Sequence, residues 1–176
     1  MIKVYWAPYW NDTTTDWNIL YEDPIQQNQN TFSFKNPITT EFEVVNDNIH
    51  YLSKNNVNVF KQGTFQNRDD YKYYVRYGMS FVFHSDESVN LKLTGEHNDL
   101  TLINYSKDIS KIFEITHIDF FLKTNKFKIK KNDILVNFHF DSNVELIRFE
   151  MNEEIKNNID YPMYPNFKQM IMENVL

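Results

Sequence analysis

His84-Ser85-Asp86, His139 and Arg148 follow one another in an order that suits metal-assisted oxidation. Two imidazoles and a carboxylate can hold ferrous iron on one side and leave positions open opposite. An arginine beyond the second histidine would pair its planar fork with a carboxylate of a co-substrate such as 2-oxoglutarate. The plainer reading is two unrelated histidines. A His-x-Asp pair arises by chance in a chain with five His and many Asp, and His139 shares a strand face with Asn137 that can simply be wet.

Arg68, Arg76 and Arg148 stand out because the other 15 of the 18 basic residues are lysine. Where lysine is the easy choice, an arginine marks a place that needs a rigid bidentate donor for a carboxylate or phosphate. Arg76 lies among Tyr73, Tyr74 and Tyr77, whose ring faces suit a base or sugar. Arg76, Tyr74, Arg148 and Trp10 are therefore the candidate ligand contacts. The alternative for each arginine is an internal ion pair with Asp or Glu. Trp6, Tyr9, Trp10, Trp17 and Tyr21 form a stacking platform on one reading and the cap of a β-sandwich on the other.

Several chemistries lack their residues. The chain has no Cys, which removes disulfides, thiolate zinc sites and cysteine nucleophiles. Its three glycines are scattered, so no phosphate-binding or dinucleotide loop is encoded. A formal charge of −6 with no basic stripe argues against a nucleic-acid partner. The run Lys126–Lys131 alternates with apolar residues and should point to solvent. No apolar segment is long enough to span a membrane, and no leader-like pattern opens the sequence.

These residues must be positioned by strands. Segment 127–151 alternates Phe127 and Ile129 against Lys128 and Lys130, turns at Lys131-Asn132-Asp133, and alternates again over 134–140. A polar break at 141–143 precedes a further run to Met151. Period-two alternation broken by Asn/Asp marks half-buried antiparallel strands. Aromatics make up 16% of the residues against a single alanine, a balance that favours strands over helices. About ten short strands follow, including Thr31–Phe34, Phe42–Val45, a hairpin of 50–52 with 57–60, one or two strands in 73–89, Leu91–Thr94 and 115–121. After Met151 the period changes to that of a helix, with Phe167, Met170, Ile171 and Val175 on one face. The fold class expected is mainly β, a single-domain antiparallel β-sandwich of jelly-roll type over 1–151, with a C-terminal helical tail over 152–176.

The segments APYW and DWNILYEDP (Ala7–Trp10, Asp16–Pro24), NTFSFKNPI (Asn30–Ile38), SFVFHSDESVNLKLT (Ser80–Thr94) and FKIKKNDILVNFHFDSNVELIRF (Phe127–Phe149) together resemble an uncharacterised family from large tailed, often marine, bacteriophages. The resemblance covers most of the chain. Family members usually carry Gly where Asn132 stands here, and Asn tolerates the same left-handed backbone. The resemblance implies a phage accessory protein in the host cytoplasm. The leading expectation is accordingly a non-enzymatic protein, without a cofactor, that binds a small molecule (a nucleotide signal in one concrete version) or a host protein. The alternative is an oxygenase dependent on Fe(II) and 2-oxoglutarate, with His84, Asp86 and His139 as metal ligands. A third reading is a virion or assembly component, a homo-oligomer whose terminal helix docks on a neighbouring subunit.

Overall fold

A computed structural model describes residues 1–9, 22–46, 48–52, 60–62, 73–77, 80–95, 97, 99–103, 105–110, 114–160 and 167–176. The protein is mainly β. One sheet places β1 (Ile2–Tyr9) between β8 (Ser80–Ser85) and β16 (Val144–Arg148), with β12 (Glu114–Thr116) beyond β8. A second orders β11 (Tyr105–Asp108), β9 (Asn90–Thr94), β15 (Ile134–Phe140), β3 (Thr31–Lys35) and β2 (Ile25–Gln26). These two face each other across a seam of rings. Phe81 of β8 meets Phe34 at 4.7 Å and Phe138 at 5.2 Å, and Phe83 meets Phe138 at 5.1 Å. All four are essentially fully buried, and the pairs are edge-on, the arrangement that the ring quadrupole favours.

Each layer runs on past this seam. β4 (Thr40–Val45) and β14 (Lys126–Ile129), with β5 (Asn48–Tyr51), continue β3 and β15 into a third sheet. β7 (Tyr73–Tyr77) and β13 (Asp119–Leu122), flanked by β6 (Phe60–Gln62) and β10 (Leu100–Leu102), continue β8 and β12 into a fourth. One core joins all four, taking in Phe42 and Val44 from β4 and Val75, Tyr77, Phe120 and Leu122 from β7 and β13. The product is a sandwich in which strands adjacent in a sheet are often remote in sequence, as in jelly rolls.

Three local expectations change once pairing is seen. The break at Lys131-Asn132-Asp133 is real, and Asn132 has φ 73°, the left-handed conformation that Asn accepts. It does not reverse the chain. β14 pairs with β4 and β15 with β3, so the break bends one long ribbon, and Asn36 hydrogen-bonds across it to Asp133 and Asn132 at 2.8 Å each. The break at 141–143 is not a hairpin either, since β15 and β16 belong to opposite layers and the chain crosses between them. Finally, one pair is parallel: β1 with β16, in register from Ile2↔Val144 to Trp6↔Arg148. The hairpin expected around residues 54–56 lies outside the described residues.

β1 and β8 do not alternate because both faces of their sheet are covered. Val4, Trp6, Phe81 and Phe83 point into the main core. Tyr5, Ala7, Tyr9 and Val82 point the other way, under α1 (Glu153–Asp160) and α2 (Phe167–Glu173), where Ile155 and Ile171 are fully buried. Asn152 caps α1 by accepting the Ile155 N–H at 2.8 Å, and Glu153 and Glu154 fill the first turn where the helix dipole favours acids. After α2 the chain returns alongside β16, with the Leu176 N–H donating to the Arg148 carbonyl at 2.9 Å. Ile155 and Ile171 of the tail thus pack on the protein's own sheet, while Met172, Val175 and Leu176 stay exposed. Val175 leaves the helix to bridge Phe149.

Phe138 packs against rings from both layers, so Phe138→Ala should cost about 3–5 kcal/mol by lost transfer energy and a cavity. Urea unfolding monitored by fluorescence measures this; a loss under about 1 kcal/mol would mean the ring seam is not the centre of the core.

Candidate functional site

The three expected iron ligands do not meet. His84 and Asp86 are close, with Nε2 3.4 Å from Oδ1. His139 sits in the opposite layer, exposed, with Nδ1 2.8 Å from the Thr31 hydroxyl. Alternation explains the failure. On β8, Phe81 and Phe83 face the main core, so His84 faces away from it with Val82; on β15, Phe138 and Phe140 face the same core, so His139 also faces away. The two imidazoles point away from the main core on opposite sides of it, His84 buried and His139 exposed. Among the described residues no group of three or more His, Cys, Asp or Glu is placed to hold a metal ion. The set of His84, Asp86 and His139 does not fit iron.

Arg76 meets the fate of an internal ion pair. Asp119 lies directly across from it on β13, and the two form a two-pronged fork, Nε–Oδ1 at 2.8 Å and Nη2–Oδ2 at 3.2 Å. This geometry is what a bound carboxylate would offer, so the fork that was expected to hold a ligand is occupied by the protein. Tyr74 lies on β7 opposite Phe121, with its side chain outside the described residues; Trp10 lies outside them altogether. The expected aromatic platform is divided as well, because Trp6 and Tyr9 enter different cores on opposite faces of β1.

Beside Arg76 is a group that sequence reasoning passed over. His117 Nδ1 is 2.7 Å from the Ser80 hydroxyl, at the bend where β8 gives way to β7 and β12 to β13. Burial lowers the His117 pKa from its ordinary 6.5 and the Arg76 guanidinium lowers it further, against an opposing pull from Asp119. The Ser80 hydroxyl and His117 Nδ1 share this hydrogen bond. The signal was available: His117-Ile118-Asp119 repeats the His-x-Asp spacing of residues 84–86. Ser80 is only 7% exposed and His117 is half-buried. It serves as a polar joint in the bent ribbon.

An open cavity lies at the other bend. Glu22, Asp23, Lys35, Asn36, Pro37, Lys131 and Asn132 line a cleft of about 220 Å³. Local chemistry makes it: Pro37 and left-handed Asn132 interrupt the two ribbon strands opposite each other, and the bend opens a notch. Asn36 is fully buried in its wall. Its Nδ2 donates to the carbonyls of Ile38 and Lys130, while its Oδ1 has no hydrogen-bond partner. Leaving a buried amide oxygen unmatched costs about 1–3 kcal/mol.

Asp23 connects this cleft to Arg148, the remaining expected contact. Arg148 Nη1 bonds Asp23 Oδ1 at 2.9 Å, and the guanidinium lies 5.3 Å from the centre of the Trp6 ring. The partners differ sharply in exposure, 12% for the Arg148 side chain against 70% for Asp23. The arginine belongs to the core-facing side of edge strand β16, and the aspartate precedes edge strand β2 of the opposite sheet, so the pair joins the two layers at their open side.

Other perturbed acids clip turns. Ser110 and Ser88 bonds pull the Asp108 carboxyl down to about 2, and paired bonds from Asn90 lower Asp141. Comparison with protein-family models, with curated proteins and with solved structures finds no match for this chain. Among the described residues no helix is long and apolar enough to cross a membrane.

Because folded His117 resists protonation, the unfolded chain binds more protons below about pH 6.5, and stability must fall as pH drops from there. His117→Gln, which keeps an acceptor for Ser80 but cannot titrate there, should flatten that limb. Urea midpoints at pH 7.5 and 5.5 test it: equal losses in both proteins would show that His117 is not the responsible group.

Proposed function

We propose that this is a non-enzymatic small-molecule-binding protein, in keeping with the phage accessory role in an infected host that the family resemblance implies. Its site is the cleft at the bend between β3 and β4. The observation that carries the reading is the cleft's composition: Lys35, Lys131, Glu22 and Asp23 line it together with the fully buried Asn36. A lining of both charges with fixed amide groups suits a polar metabolite that presents an acidic group to the lysines. Size narrows the choice. At about 220 Å³ the cleft is smaller than the roughly 300–1,000 Å³ of sites that enclose a drug-sized ligand. It suits a phosphate or carboxylate with a sugar-sized body, and a nucleotide would leave its base outside.

The alternative of an iron-dependent oxygenase has lost its ligand set, and Arg76, formerly the preferred contact, is held by Asp119. Binding at the cleft is tested by thermal shift with nucleoside monophosphates and sugar phosphates. A ligand specific to the folded state at 100 times its Kd adds about 2.7 kcal/mol of stability. The double variant Lys35→Glu/Lys131→Glu, on exposed or half-buried positions, should fold normally and lose the shift. A shift that survives both charge reversals would move the site elsewhere, and no shift with any compound in the panel would end the reading.

A further inference from the structure

The charges that line the cleft are not matched as their neighbours are. Farther back along the same ribbon Lys126 and Lys128 reach Glu43 and Glu41 across the ladder, at 3.9 and 3.4 Å. At the bend this pairing stops. Lys35 is half-buried opposite Ile134 in its ladder, and Lys131 follows β14 with its backbone N–H on the Thr39 hydroxyl at 2.9 Å. Among the described residues neither lysine has an acid at ion-pair distance, and Glu22 has no cation there. Asp23 is the exception, since Arg148 holds it at 2.9 Å. The unpaired groups also come from different sides: Glu22 reaches the cleft from the β2 side of β3 and Lys131 from the β15 side, with Asn36 between them.

We infer that the cleft takes an amino phosphomonoester, its phosphate on Lys35 and Lys131 and its ammonium on Glu22; this rests on the cleft being the binding site. Charge makes the choice. With Asp23 answered by Arg148, the lining presents two ammonium groups and one carboxylate. A phosphomonoester carries about −1.5 to −2 at pH 7, enough for both lysines, and a ligand ammonium answers Glu22. A plain sugar phosphate leaves the Glu22 carboxylate beside an anion with nothing to offset it, and a free amino acid leaves one lysine unanswered. Lysine suits the phosphate end, because its ammonium is a point charge with rotatable donors and needs no fixed fork. Half-buried Lys35 and fully buried Asn36 share that wall, where charges are screened less than on an open surface.

The test compares glucosamine 6-phosphate with glucose 6-phosphate, which differ by an ammonium in place of a hydroxyl, on the full chain at pH 6.5. Affinities are read from how the melting temperature rises with ligand concentration. Inorganic phosphate, whose exclusion from protein surfaces raises most melting temperatures, sets the baseline. Wild type should bind glucosamine 6-phosphate roughly tenfold more tightly than glucose 6-phosphate, and glucosamine alone far more weakly than either. Glu22→Gln, at an exposed position, should fold normally and bind the two sugar phosphates equally. Equal affinity in wild type, or a preference that survives Glu22→Gln, would sink the ammonium contact and leave the cleft reading standing, provided Lys35→Glu/Lys131→Glu still abolishes binding of both. Glucosamine binding as tightly as its phosphate would overturn the place given to the phosphate. Binding of either sugar phosphate that survives the double charge reversal would remove the inference and the cleft together. If neither sugar phosphate binds wild type, the inference is lost, and the cleft goes with it only when the nucleoside monophosphates fail too.

Discussion

The seam of aromatic rings between β8 and the β3–β15 pair dictates most of what surrounds it. Phe34, Phe81, Phe83 and Phe138 are large and edge-on, and a chain with one alanine and 15 Phe has few small residues to close the gap any other way. Each ring fixes its strand's face, so every neighbour by alternation is committed to the outside or to the second core. His84 and His139 are sent to opposite faces by this rule alone.

The layers that carry the seam are longer than a straight strand of this fold allows, and both bend. At a bend the ladder hydrogen bonds must be re-formed by other groups, which brings polar side chains and irregular backbone together. Both polar constellations of interest sit there. Ser80, His117, Arg76 and Asp119 occupy the bend from the first sheet to the fourth, and Asn36, Pro37, Lys131 and Asn132 occupy the bend from the second to the third. At the first bend these groups bond to one another. The second leaves an open notch and a buried oxygen without a hydrogen bond.

The contrast between Arg76 and Arg148 follows from where each strand lies. Arg76 is on an inner strand of its sheet, where the directly opposed residue on β13 can supply a matched carboxylate. Arg148 lies on β16 between β1 and the returning C-terminal residues, and a carboxylate on it comes from the exposed Asp23, far away in sequence. The same residue type thus pairs across a ladder in one place and with a carboxylate remote in sequence in the other.

Composition and period-two alternation sufficed for the strand content, the ring-filled interior, the outward lysines of 126–130 and the helical end, because these depend on local preference and on burial of one face. The break at Lys131-Asn132-Asp133 was legible for the same reason, and the left-handed backbone at Asn132 agrees with what the family resemblance implied. Which strands pair was not legible: a polar break looks the same in sequence whether it reverses a chain, bends a ribbon or carries it between layers. Hence the candidate residues separated as they did. Arg148 belongs beside a cleft, Arg76 is neutralised by a partner 43 positions away, and the lysines and asparagines of the cleft gave no signal because their spacing in sequence is unrelated to their convergence in space. The sequence alone determined what kind of layers form and which residues they bury; the tertiary pairing decided which charges meet, because that depends on distances between segments that no local pattern encodes.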